Sequence, residues 1–144
     1  GGREFLASYG LRLPDTAGGG SRRSLAQAVA AHVPQDHVDF LSRLPVCLRA
    51  GDLVFVHAGV DPTRPLSDQS RDDMIWTRNY RDADLSAPAD LPPGGLVVHG
   101  HMPVTTVARR GWRLNLDSGA WATGRLTAAR FSPGAEPELH SVTA

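Results

Sequence analysis

The sequence has one cysteine, Cys47, and no lysine. A single cysteine excludes an internal disulfide and a cysteine-rich zinc site. In the apolar stretch LPVCL it reads as a small core residue. The basic residues are all arginine, and 15 of them face 15 aspartates and glutamates, so the chain has no overall attraction to nucleic acid or to an anionic membrane surface. No apolar run approaches the roughly 20 residues that a membrane span needs. No signal peptide, internal repeat or low-complexity tract is visible, and the expected location is cytoplasmic. What is left is 144 residues, 41% of them hydrophobic, which is enough for one domain with a real core. The opening segment GGREFLASYG reads as the middle of a protein, so the sequence is expected to be part of a longer one.

The core pattern centres on LVFVHAG, Leu53 to Gly59. A short apolar run bounded by turn residues is the pattern of a buried strand, here delivering His57 at its exit. The same grammar recurs at Leu96–His101, LVVHGH. In open α/β sheets, ligands bind at the carboxyl ends of the strands, and imidazole is the commonest side chain for divalent Zn, Mn and Fe. The pair is far apart in sequence and can meet only through the fold. Gly59 and Gly100 flank the histidines and let the backbone approach a ligand without a Cβ in the way.

Around these strands the sequence predicts a helix over Glu4–Tyr9 stopped by Gly10, and a loop over Pro14–Ser21. A helix capped by Ser24 and running through Val33 places Leu25, Ala28, Val29 and His32 on one face. After Pro34 comes a helix of about Gln35 to Arg43, with Pro45 closing it. His32 and His37 read as helix-surface residues. Val46–Leu48 reads as a short strand that turns at Ala50-Gly51-Asp52 into an antiparallel pairing with LVFV. Ser70 to Asp73 resembles a capping box opening a short helix that contains Trp76, read as a core anchor. Arg78 follows; its guanidinium suits a phosphate, with a surface salt bridge as the alternative. Arg81–Gly95 reads as a surface loop suited to substrate contacts. Arg113–Asp117 and Arg125–Phe131 alternate polar and apolar residues around SGAWATG and suggest a β-hairpin. Residues 132–144 read as a loose tail after one last short strand.

HAG at His57–Gly59, IWTR at Ile75–Arg78, VHGHMP at Val98–Pro103 and NLDSGA at Asn115–Ala120 occur in this order. Together they resemble the second half of a calcineurin-like metallophosphoesterase, of the bacterial serine/threonine phosphoprotein phosphatase type. GGREFLASYG and PQDHVDFLSRLP resemble that branch's linker helices. The likeness spans about Gly1 to Phe131. It implies the C-terminal half of an α/β fold, a β-sandwich flanked by helices in α-β-β-α layers, and a phosphoric ester hydrolase using two divalent ions, Mn, Fe or Zn. In such enzymes a bridging hydroxide attacks phosphorus. Carried over, His57 and His101 are metal ligands and Arg78 binds the substrate phosphate. His99 and Asp117 support them without binding metal. The expected substrate is a phosphorylated protein or a small phosphoester.

The family's D-x-H, G-D-x-x-D-R-G and G-N-H-E motifs do not occur here; Gly51-Asp52 is followed by Leu53. They would supply the first metal's ligands and the acid histidine. The chain alone is therefore expected to be inactive and to hold at most one ion, weakly. A sheet face left bare by the missing half would favour self-association. The alternatives are a symmetrical bis(5'-nucleosyl)-tetraphosphatase, which shares the HAG and GH-x-P grammar, a non-catalytic phosphatase-like binding module, or an α/β domain whose histidines are buried and satisfied.

Overall fold

The structure is a computed structural model that describes residues 2–12, 22–78 and 85–144. It is mixed α/β. Contacts divide the chain into two compact units, Gly1–Leu44 and Pro45–Ala144.

The first unit holds α1 (Gly2–Ser8), α2 (Arg22–His32) and α3 (Gln35–Arg43). Gly10 adopts φ 81°, and its N–H donates to the Ala7 carbonyl, so the predicted stop stands although the helix itself ends at Ser8. Ser24 lies inside α2 and does not cap it, a correction to the expected start. α3 has the predicted bounds, with Pro34 fixing its entry. Tyr9 Oη and His37 Nδ1 are 2.8 Å apart, and His32 Nδ1 is 2.8 Å from the Ala28 carbonyl oxygen. Both histidines are exposed on helices, as expected. The Pro14–Ser21 loop lies outside the described residues.

The second unit is built on a five-stranded sheet in the order β1 (Cys47–Ala50), β2 (Leu53–Val56), β3 (Leu96–His99), β5 (Arg113–Asn115), β4 (Arg109–Arg110). β1 and β2 form the predicted antiparallel pair, with Ala50 opposite Leu53 across a two-residue turn whose Gly51 has φ 58°. β2, β3 and β5 are parallel neighbours. β3 is central and buried at every position, as a continuous apolar run with cover on both faces requires. One face packs Val54, Val60 and Val97, and the other packs Leu96, Val98 and Leu114. Cys47 is half-buried against the first cluster. Burying each of these aliphatic side chains contributes about 1.5–3 kcal/mol.

The predicted hairpin between Arg113–Asp117 and Arg125–Phe131 does not form. β5 already has a neighbour on each side, β3 and β4, and offers no free edge. SGAWATG is instead a helical turn, α5 (Ala120–Thr123), bracketed by Gly119 and Gly124 in left-handed conformations. β6 (Arg125–Arg130) turns back on β7 (Glu138–Thr143), and the two pair from Arg125 opposite Thr143 to Arg130 opposite Glu138. The expected last strand is thus six residues long. Ala129 and Phe131 pack on the Leu96–Val98–Leu114 face, and the Phe131 ring meets Phe55 edge-on at 5.6 Å. Leu126 and its cross-strand partner Val142 are exposed. No helix among the described residues is long and apolar enough to cross a membrane.

Candidate functional site

Three parallel strands run out at one edge of the sheet, and each carries a polar side chain there. β2 ends into His57, β3 into Gly100 and His101, and β5 into Asp117. The ladder continues past the strand ends: Gly100 N–H donates to the His57 carbonyl at 2.9 Å, and Leu116 N–H donates to the His99 carbonyl at 2.8 Å. Parallel register therefore brings together two histidines far apart in sequence. His57 Nε2 lies 3.2 Å from His101 Nδ1, with the ring centroids 5.0 Å apart.

α4 (Arg71–Trp76) closes the same edge. Ser70 caps it through the predicted box: its hydroxyl accepts the Asp73 N–H, and the Asp73 carboxylate accepts the Ser70 N–H at 2.8 Å and the hydroxyl at 2.7 Å. Ala58 N–H donates to the Met74 carbonyl at 2.8 Å, tying the helix to the residue after His57. Trp76 is not a core anchor. It is 62% exposed, and its ring stands edge-on to His101 at 6.1 Å. The capping box starts the helix so that position 76 faces the strand exits rather than the core. Arg78, two residues past the helix, is exposed.

Arg78 lines a cavity with His99, Met102 and Asn115, and Asp117 lines a cleft with His57, His99 and His101. The His101 imidazole is held below its usual pKa by burial first, then by the charges of His57 and Arg78, while Asp117 opposes the shift. A lowered pKa keeps a ring lone pair open at neutral pH, as a metal ligand requires. His101 also adopts φ 71°, the one positive φ on a non-glycine among the described residues. Strain of this kind concentrates at functional sites.

Two imidazole nitrogens bound to one ion at about 2.0–2.1 Å stand about 2.9–3.4 Å apart for ligand angles between octahedral and tetrahedral. The observed 3.2 Å falls inside that range. The spacing is that of a hydrogen bond between the two rings and equally that of two nitrogens on one ion. The pair does not complete a site: among the described residues no group of three or more His, Cys, Asp or Glu side chains could hold a metal.

His99 makes no hydrogen bond to either ring of this pair among the described residues. It is 6% exposed, and burial pushes its pKa down to about 4, so it is neutral. Its Nδ1 lies 3.2 Å from the Gly100 carbonyl oxygen, and Ala58 is its other backbone contact. The ring thus links the loops that leave β2 and β3, which is a positioning role. Asp117 makes no hydrogen bond to a histidine ring among the described residues; its carboxylate accepts Gly119 N–H at 2.9 Å and reaches His101 only through its charge.

The glycines divide. Gly59 has φ 141°, where a side chain is strained, so glycine is needed there. Gly100 has no positive φ, and a Cβ on it would meet Asp117 Cβ at an ordinary 3.4 Å, so the expected close approach is not what fixes glycine at that position. Gly119 needs glycine as Gly59 does, with φ 67° and a would-be Cβ only 3.3 Å from Pro103. Asn115 also escaped sequence reasoning as a site residue. Its amide donates to the Met102 carbonyl at 2.7 Å and its side-chain oxygen accepts Asp117 N–H at 2.9 Å, so it holds the loop bearing His101 against the one bearing Asp117. Its place in NLDSGA was the available signal. Comparison with protein-family models and with curated proteins finds no match to this chain.

Proposed function

We propose that this chain contributes part of the centre of a metal-dependent phosphoester hydrolase, a phosphoprotein phosphatase-like enzyme. The observation that carries the reading is the 3.2 Å approach of His57 Nε2 to His101 Nδ1 at the strand exits, with Arg78 lining the cavity next to them beside His99 and Met102. Two divalent ions, Mn, Fe or Zn, when bound, would polarise a phosphate and acidify a water for attack on phosphorus. His57 and His101 would hold one of them. The carboxylates such a centre needs would come from outside the described residues. Arg78 would bind the substrate phosphate through its guanidinium and offset the charge that builds on the phosphoryl oxygens. Trp76, exposed beside His101, would wall one side of the substrate's approach. His99 would hold the two strand exits in place, and Asp117 would favour the cationic side of the site without binding metal. In this reading the five-stranded sheet is one layer of a metallophosphoesterase sandwich and the β6–β7 ribbon belongs to the other.

The test is Mn²⁺ titration of the chain by calorimetry, together with its His57→Ala and His101→Ala variants. One weak site, lost in either variant, is expected, with no turnover of an aryl phosphate. Binding that both variants retain would refute the assignment, as would hydrolysis that survives His57→Ala.

A further inference from the structure

A cavity of about 310 Å³ has exposed Arg78 on its rim. That volume is at the lower end of small-ligand sites. Its less exposed wall carries three polar side chains, His99, Arg113 and Asn115, and each already has company within the protein. His99 Nδ1 lies 3.2 Å from the Gly100 carbonyl oxygen, and the ring also meets the Ala58 backbone. Asn115 gives its amide to the Met102 carbonyl and takes the Asp117 N–H. The Arg113 guanidinium lies against the Trp112 ring, with Cζ 6.0 Å from the ring centroid. A hydroxyl or a second anionic group pushed against such a wall would lose its water for little return. The rest of the wall is apolar: half-buried Met102 and Val104, continued on the rim by Pro103 and Ala108. The Asn115 bond to the Met102 carbonyl holds this part of the wall in place before any ligand arrives. A seryl or threonyl phosphate held at Arg78 would bring only a short aliphatic stem and leave the cavity to water. An aromatic ring suits it better. An apolar cavity of about 150 Å³ is enough for benzene, so the space here admits a substituted ring. The Met102 thioether favours contact with a ring, and the Arg110 guanidinium on the rim can stack on its face.

We propose that this cavity receives the aromatic ring of an aryl phosphate, with the phosphate at Arg78 and the ring against Met102 and Val104, so that aryl esters are preferred over alkyl ones. The proposal rests on the reading of Arg78 as the phosphate-binding residue, and its test separates the two. Methylphosphonate, cyclohexylphosphonate and phenylphosphonate are titrated against the full chain in metal-free buffer. Phenylphosphonate is expected to bind about tenfold tighter than methylphosphonate, which corresponds to removing roughly half of a phenyl ring's surface from water. Cyclohexylphosphonate should fall between them, since it lacks a π face for Met102 and Arg110. Val104→Thr, which puts a hydroxyl into the apolar wall, and Ala108→Phe, which fills the mouth, should each bring the phenyl preference toward one. Arg78→Ala should weaken methylphosphonate and phenylphosphonate alike and leave their ratio. A peptide bearing phosphonomethyl-phenylalanine that binds tighter than phenylphosphonate would assign the ring to a tyrosyl phosphate, and one that binds no tighter would assign it to a small aryl ester. Equal binding of methylphosphonate and phenylphosphonate overturns the ring pocket, as does a preference that both Val104→Thr and Ala108→Phe leave unchanged. Cyclohexylphosphonate binding as tight as phenylphosphonate overturns the aromatic class. Methylphosphonate binding indifferent to Arg78→Ala overturns the hydrolase reading, while the Val104 and Ala108 comparisons still report on the pocket.

Discussion

Two substitutions at His101 separate backbone strain from ligand chemistry. At φ 71° an L-residue crowds its own Cβ against the following carbonyl, which costs about 1–2 kcal/mol. Glycine avoids that strain, but its freer unfolded chain costs about 0.4–1 kcal/mol relative to alanine. His101→Ala and His101→Gly lose the same imidazole, with its edge contacts to His57 at 5.0 Å and Trp76 at 6.1 Å. Those contacts cancel in the comparison. The glycine variant should therefore be the more stable by about 0.5–1 kcal/mol, the reverse of the usual order. With an m-value of about 2 kcal/mol/M, that is a difference of about 0.25–0.5 M in the urea midpoint, read by circular dichroism on the chain in chelating buffer. Equal midpoints, or a higher one for alanine, would show that position 101 is not held left-handed in solution. Adding Mn²⁺ then supplies the second reading. Wild-type should gain about 1.4 kcal/mol at tenfold excess over its dissociation constant, and both variants should gain nothing.

Ser70→Ala removes one donor to Asp73 and the cap of α4, and should cost about 1 kcal/mol at neutral pH. The Ser70 hydroxyl, then its backbone N–H, hold the Asp73 carboxyl below its ordinary pKa. That stabilisation is complete above the ordinary carboxylate range and is lost as pH falls through the depressed folded value. The gap between Ser70→Ala and wild-type should therefore narrow in acid melts, and a gap constant down to pH 2 would refute the assignment. Leu114→Ala, at a side chain 1% exposed in the sheet core, should cost about 2–5 kcal/mol in urea unfolding; under 1 kcal/mol would mean that the packing is loose. Leu126→Lys with Val142→Glu replaces an exposed cross-strand apolar pair, 60% and 68% accessible, with an ion pair. Light scattering should show less self-association at an unchanged melting temperature, and unchanged scattering would clear this face.

Much of the site's placement was legible because it depends on local grammar. An apolar run followed by histidine appears twice, four residues long before His57 and three before His99, and both runs are strands with the histidine at or just past the exit. The capping box at Ser70 and the Pro34-to-Arg43 helix were readable for the same reason, since each is fixed by residues within a few positions of one another. What failed depended on partners chosen elsewhere in the chain. Arg113–Asp117 has the alternation of a hairpin strand, but β3 on one side and β4 on the other had already taken both its edges, so Leu126 and its neighbours had to find β7. Trp76 was misread because composition says that a tryptophan is buried, whereas the helix phase set by its cap turns it outward to His101.

Arg110 shows the same limit. The strand that carries it is two residues long, both of them arginine, and has neither apolar alternation nor β-branched residues to announce it. Nothing within five residues distinguishes Arg110 from Arg109. The pairing with β5 separates them: register sends Arg109 opposite Leu114, with its guanidinium on Glu136, and Arg110 opposite Arg113, into the cavity shared with Arg78 and His99. The sheet that aligns His57 with His101 at its end also aligns two arginines along one face. The histidine pair and the arginine pair are set by two separate ladders of that sheet, β2 with β3 and β4 with β5. A one-residue slip of β4 against β5 would turn Arg110 to the other face, while the β2–β3 ladder that joins the histidines would be untouched. Substitutions confined to β4 should accordingly leave the approach of His57 to His101, and with it divalent-ion binding, unchanged, and a β4 variant that lost Mn²⁺ binding would contradict that independence.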